Sequence, residues 1–180
     1  MEVDINTKAT AIIAAYNEEK TIGPIIDVLK AIPFLNQIVV VSDGSTDHTV
    51  DVAKSKGVEV VELLYNVGKG GALYQGLMST TSNVVLLLDA DLIGLTPQHV
   101  IDLIRPVMDN EADVTIGIFE DGRFATDFAQ KIAPFSGNYH IITFKTGFTI
   151  LLFYLKMITK NKEKNRDELQ IFVFCFDCFY

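Results

Sequence analysis

Cysteine and histidine are scarce in this chain, with two and three residues in 180. Both cysteines, Cys175 and Cys178, lie at the far end, so no disulfide framework is implied. Their Cys-x-x-Cys spacing suits redox or zinc chemistry, but no second pair exists and the flanks are rich in phenylalanine, which counts against both uses. His48, His99 and His140 show no metal-ligand spacing, and His48 and His99 are expected on helix surfaces. Cations are also in deficit. Fifteen Lys and Arg face twenty-three Asp and Glu, a formal net charge of −8. Such a protein repels a phosphate backbone, so nucleic acid is not an expected partner. A single nucleotide is a different case, because one metal ion and one lysine can neutralise its phosphates. No apolar leader opens the chain, since Met1–Lys8 is short and polar, and a cytoplasmic location is expected. Neither an internal repeat nor a low-complexity linker is present.

What is there is an ordinary globular composition, 49% hydrophobic and 21% charged, with enough length for one domain with a sizeable core. Short apolar runs at Thr10–Ala15, Gln37–Ser42, Val58–Val61, Asn83–Leu88 and Asp113–Ile118 read as strands. Helices are expected between them. The first covers Glu18–Ala31, with Ile22, Ile25, Ile26 and Leu29 apolar. The second covers Thr46–Lys56, with Val50 and Ala53 facing inward. The third covers Gly70–Ser79, with Leu73, Leu77 and Met78 apolar. The fourth runs from a Thr96 cap and Pro97 to about Met108. Five alternations with apolar strands predict an α/β fold, a mainly parallel sheet with helices on both faces. In such sheets ligands bind at the carboxyl ends of the strands, so the residues after each strand carry the candidate chemistry.

Those strand exits are polar. Asp43 opens Asp43-Gly44-Ser45-Thr46-Asp47, which read alone is a turn in which Ser45 or Asp47 caps the next helix. Asp89-Ala90-Asp91 places two carboxylates at the mouth of a buried strand, where a cation would relieve their repulsion; hard oxygen ligands suit Mg²⁺ or Mn²⁺. Asn66-Val67-Gly68-Lys69-Gly70 lacks the P-loop pattern, and no Gly-x-Gly-x-x-Gly follows the first strand. What remains there is a lysine among glycines at a helix start, where backbone N–H groups and the helix dipole favour an anion.

Taken in order, Ala15-Tyr16-Asn17-Glu18, Asp43-Gly44-Ser45-Thr46-Asp47, Asn66-Val67-Gly68-Lys69-Gly70 and Asp89-Ala90-Asp91 resemble the family 2 glycosyltransferases of the GT-A fold. Within that family the nearest branches are the polyprenyl-phosphate sugar transferases and the glucosyl-3-phosphoglycerate synthases. The resemblance covers about residues 9–135 and implies a Rossmann-like nucleotide-sugar-binding domain over residues 1–135. It implies that Ala15, Tyr16 and Glu18 border the nucleoside, with Glu18 on the ribose. Asp43 would accept from a uracil or guanine edge, and Lys69 would approach the base or the diphosphate. Asp89 and Ala90 would lie against the ribose or the sugar, and Asp91 would hold Mg²⁺ or Mn²⁺. The donor is then a UDP- or GDP-sugar. After the fifth strand, Arg123 and Thr126, and further on Ser136 and Gly137 in Pro134-Phe135-Ser136-Gly137, resemble an acceptor segment for a phosphorylated small molecule or a polyprenyl phosphate. A general base is not identifiable. A homodimer is compatible with the family.

Beyond about Tyr139 no motif of the family is legible, so the fold is expected to be incomplete at its C-terminal end. Residues 134–180 hold eight of the twelve phenylalanines and have a surplus of cations. Residues 136–180 therefore read as a divergent hydrophobic and basic tail. Three readings fit it: a membrane span over Ile141–Ile158, interrupted by Lys145; a helix lying on a membrane surface; or a tail foreign to the fold, produced by an altered reading frame, which the abrupt change of composition favours. Two further functions stay open beside sugar transfer: a nucleotide-sugar-binding remnant without an acceptor half, and a nucleotidyltransferase, which the missing glycine-rich loop after the first strand disfavours.

Overall fold

The structure is a computed structural model that describes residues 8–112, 114–119, 139–144 and 170–172. Among the described residues, seven strands and four helices follow in the order β1 (Ala9–Ala15), α1 (Ile22–Lys30), β2 (Leu35–Asp43), α2 (Thr49–Ser55), β3 (Glu59–Leu63), α3 (Lys69–Met78), β4 (Val84–Asp89), α4 (Pro97–Met108), β5 (Val114–Phe119), β6 (Tyr139–Phe144) and β7 (Gln170–Phe172). Five strands form one sheet in the order β3-β2-β1-β4-β7, and β5 pairs with β6 in a second. Every pairing is parallel, as the uninterrupted apolar strands predict.

Strand alternation divides the core into two faces. Ile13 lies beside Val40 on one side and Leu88 on the other. These three pack with Ile22, Ile25, Ile26 and Leu29 of α1 and Val100, Leu103, Ile104 and Val107 of α4 in one buried cluster. Ile12, one residue earlier, points to the opposite face beside Val39 and Leu87, where α3 covers the sheet. The approach of α3 is close. A Cβ added at buried Gly76 would run into Cγ2 of Ile12 and come within 3.1 Å of Cγ2 of Val41. Both neighbours are β-branched and stiff, so they yield little. Gly76→Ala is therefore expected to destabilise the chain by about 1–3 kcal/mol, measured as a lowered urea midpoint at unchanged slope.

The helix starts depart from expectation at two places, both bordering the sheet's carboxyl edge. The first helix begins at Ile22 rather than Glu18, because Glu18 O accepts from Thr21 N and Ile22 N in a separate turn, and the Thr21 hydroxyl bonds back to Glu18. The second begins at Thr49 rather than Thr46, and its fully buried first residue is Thr49; Val50 is only partly covered. On the third helix Leu73 is buried, but Met78 is 68% exposed. The fourth starts as expected, with the Thr96 hydroxyl accepting from His99 N at 3.3 Å. Among the described residues no helix is long and apolar enough to cross a membrane.

Candidate donor-binding site

In the sheet order, connections from β1 run to β2 and β3 on one side, while β4 lies on the other side of β1. The chain thus reverses direction across the sheet beside β1, and this is where an open α/β sheet leaves a crevice at its carboxyl edge. A cleft of about 190 Å³ opens there, against roughly 10–15 Å³ needed for one water. Tyr16, Glu18, Asp43, Lys69, Asp89 and Asp91 line it, with the small Ala14, Ala15 and Ala90 between them. All seven residues expected at the nucleotide sugar, and Asp91, therefore meet in one crevice. Asn66 and Gly68 line it as well. They stand inside the Asn66–Gly70 motif, and their own position in the crevice follows only from how the loop folds.

These side chains are held at four places, the exits of β1, β2 and β4 and the start of α3. Asp43 ends β2, is 3% exposed, and accepts from Val67 N at 2.7 Å through Oδ1, which ties the loop before α3 to the strand. Gly44 then turns away with φ of +71°. Any Cβ there would sit 2.7 Å from the Tyr65 carbonyl carbon and from Asn66 N. Asn66 Oδ1 accepts from Gly68 N at 3.0 Å, shaping the turn into α3. Lys69 is the first residue of that helix, where the dipole favours an anion. Its ammonium lies 2.5 Å from Asp89 Oδ1, and Asp89 is almost wholly buried. The two carboxylates of Asp89-Ala90-Asp91 are thus not an equal pair. Asp89 faces inward against Lys69, whereas Asp91 stands exposed at the rim. The repulsion expected between them is relieved in part by a lysine.

Negative charge remains in excess. The Glu18 carboxyl is raised above its ordinary value, first by burial and then by the charges of Asp91 and Asp47, against a hydrogen bond from the Thr21 hydroxyl that lowers it. A carboxyl whose folded pKa is raised binds its proton more tightly in the fold. That preference stabilises the fold below the ordinary value of 4.5 and is lost as pH rises through the raised value. Glu18→Gln is therefore expected to melt above the parent near neutral pH, with the advantage shrinking as pH falls through the raised value and lost below 4.5. A melting-temperature difference that is constant across that range would contradict the assignment.

Hard oxygens, surplus negative charge and an exposed Asp91 fit a divalent cation such as Mg²⁺ or Mn²⁺. Among the described residues no three of His, Cys, Asp and Glu converge on an ion. Asp91 and Asp89 are the residues placed to offer oxygen to such a cation.

The remaining polar residues have structural tasks. Asp47 precedes the N-cap His48 of α2, accepts from Thr49 N at 3.0 Å, and also accepts from Glu19 N at 3.1 Å. Burial acts to raise its carboxyl, but the bonds from Thr49 and Glu19 outweigh this and hold it below the ordinary value. His48 is solvent-exposed at the start of α2 and is raised by its bond with Asp51 and by the Glu19 charge. Arg123, Thr126, Ser136 and Gly137, the Cys175–Cys178 pair and the His140 side chain lie outside the described residues.

Comparison with known proteins agrees with this geometry. A family model described as glycosyl transferase family 2 matches residues 10–179. A glucosyl-3-phosphoglycerate synthase of Mycolicibacterium smegmatis is 31% identical over 108 residues, 55% of this chain and 36% of the relative. A 4,4'-diaponeurosporenoate glycosyltransferase of Staphylococcus aureus is 37% identical over 109 residues, 57% of this chain and 29% of the relative. Among solved structures, the glucosyl-3-phosphoglycerate synthase of Mycobacterium tuberculosis in complex with Mn²⁺, UDP-glucose and phosphoglyceric acid superposes with a TM-score of 0.61. The two are 28% identical, over 71% of this chain and 49% of that one. The chain thus spans less than half the length of each of these relatives.

Proposed function

The chain belongs to glycosyl transferase family 2, and on that premise we propose that its carboxyl-edge cleft binds a nucleoside-diphosphate sugar, UDP-linked by preference, and passes the sugar to an acceptor. The observation that carries this is the convergence of Glu18, Asp43, Lys69, Asp89 and Asp91, from four separate strand exits, on one crevice at the point where the sheet order reverses. UDP is favoured over GDP because the superposed mycobacterial synthase holds UDP-glucose.

In this reading Tyr16 and Asp43 flank the base. Asp43 keeps one oxygen on Val67 N, so its carboxylate is oriented before ligand arrives and can accept from a ring N–H. Glu18 accepts from ribose hydroxyls. Lys69 and the first turn of α3 hold negative charge of the diphosphate, and Asp89, fixed by Lys69, faces the sugar. Asp91, with the ligand's phosphate oxygens, would hold Mg²⁺ or Mn²⁺, which when bound stabilises the charge growing on the leaving diphosphate. In the transfer the bond from the anomeric carbon to the phosphate oxygen breaks, an acceptor oxygen bonds to that carbon, and the acceptor hydroxyl loses its proton. A phosphorylated acceptor is favoured, since the same neighbour holds phosphoglyceric acid; Arg123, with Thr126, Ser136 and Gly137, would meet it through guanidinium–phosphate pairing. Residues 1–135 would then form the donor unit.

Titration calorimetry with UDP, in the presence and absence of Mn²⁺, tests the reading. Metal-dependent binding is expected, with GDP weaker. Absence of any metal-dependent nucleotide binding would sink it.

A further inference from the structure

The loop after β1 carries Tyr16 and Glu18 into the cleft, yet it makes few bonds of its own. Its internal main-chain support is limited to Glu18 O, which accepts from Thr21 N and Ile22 N. Its shape is imposed by the loop after β2, some thirty residues away. Asn17 N donates to Ser45 Oγ at 3.1 Å, Glu18 N to Thr49 Oγ1 at 2.7 Å, and Glu19 N to Asp47 Oδ2 at 3.1 Å. In return Thr46 N donates to Asn17 Oδ1 at 2.8 Å and His48 N to Glu19 Oε2 at 3.0 Å. Asn17 itself has φ of +58°, a conformation asparagine tolerates better than most residues, and these bonds hold it there.

One path through this lacing has a defined direction. The Thr49 hydroxyl, fully buried, has a single proton, and it lies 2.5 Å from Asp47 Oδ1. A carboxylate can only accept, so the proton goes to Asp47, and the hydroxyl oxygen is left to receive Glu18 N–H. Asp47 thus orients Thr49, and Thr49 fixes the backbone of Glu18. Neither Asp47 nor Thr49 lines the cleft.

We infer that Asp47 and Thr49 are positioning residues that set ribose recognition by holding Glu18 through the chain Asp47 Oδ1, Thr49 Oγ1, Glu18 N. The inference rests on the donor-site reading given above and adds to it the device that aims one of its arms.

The test measures calorimetric affinities for UDP and for its 2′- and 3′-deoxy analogues, all with Mn²⁺. The parent chain is expected to prefer UDP by about tenfold over whichever analogue lacks the hydroxyl that Glu18 accepts from. Thr49→Val removes the hydroxyl at constant volume and should shrink that preference to within about twofold, with Thr49→Ser restoring it. Glu18→Ala should abolish the preference, and adding Thr49→Val to it should cost nothing more. A merely structural role for Thr49 would weaken all three nucleotides alike and would add to Glu18→Ala. If Thr49→Val does not fold, Asp47→Ala, which removes the acceptor of the Thr49 hydroxyl proton, carries the same comparison. If the parent does not bind UDP at all, the donor-site reading falls and this inference with it. If the parent binds and discriminates but Thr49→Val keeps the full preference, only the positioning role is overturned. A parent that binds UDP and its deoxy analogues equally overturns it too, and leaves the donor site standing.

Discussion

Asp91→Ala is expected to remove the Mn²⁺-dependent part of UDP binding, to lower sugar transfer or donor hydrolysis by about a hundredfold or more, and to leave the fold intact. The two halves of this expectation have separate causes. Asp91 is exposed at the rim of the cleft, so truncating it touches no packed interface, and surface changes of that kind stay within about 0.5 kcal/mol. Functionally it is the carboxylate least engaged by the protein. Asp89 is committed to Lys69 and Asp43 to Val67 N. Without a cation, a diphosphate entering the cleft meets Glu18, Asp43 and Asp89, besides Asp91 itself, with one lysine to offset them. The decisive comparison is calorimetry in EDTA. There both should bind UDP weakly, the parent no better than Asp91→Ala, whereas with Mn²⁺ only the parent should gain. A variant that retains the metal-dependent gain would move the metal site elsewhere in the chain.

Gly44→Ala is expected to destabilise the chain by about 3 kcal/mol and to weaken UDP binding at the same time. Its φ of +71° is one that alanine adopts only with strain. The added methyl would also meet main-chain atoms of Tyr65 and Asn66, which cannot swing aside as a side chain would. The relief must come from moving the loop that carries Asn66, Gly68 and Lys69, and that loop is the far wall of the cleft. Stability and affinity should therefore fall together, read as a lowered urea midpoint and a raised Kd for UDP in Mn²⁺. A destabilised variant with unchanged affinity would show that the loop moves independently of the site.

The strands and the residues that line the cleft were legible because each follows from local pattern. Thr10–Ala15, Gln37–Ser42 and Asn83–Leu88 are apolar runs of strand length, and their observed bounds differ by only a residue or two at either end. The alternation of strands and helices required a parallel sheet, and a parallel sheet places its ligand at the exits that Tyr16, Asp43 and Asp89 occupy. Helix starts were less legible. Glu18 and Thr46 have side chains and neighbours compatible with a first turn, but the two loops are laced to each other by hydrogen bonds that hold Asn17 in a left-handed conformation and delay both helix starts. Asp47 shows the limit most clearly. As the last residue of Asp43-Gly44-Ser45-Thr46-Asp47 it suggests a helix cap; it stands one residue before the N-cap His48 and accepts from Thr49 N, while its second oxygen holds Glu19 across a separation of 28 residues.

The sequence by itself determined which polar residues follow the strands and at which edge they would gather. Apolar periodicity and polar strand exits are properties of short segments, set by burial within a few residues. Only the tertiary structure decided how the charges are shared. That Lys69 faces Asp89 rather than open solvent, that Asp91 is the carboxylate left at the rim, and that Thr49 supports Glu18 all depend on the order β3-β2-β1-β4 bringing four exits together. Ion pairs and hydrogen bonds act over a few ångströms in space, and no spacing along the chain encodes which distant segment will arrive within that range.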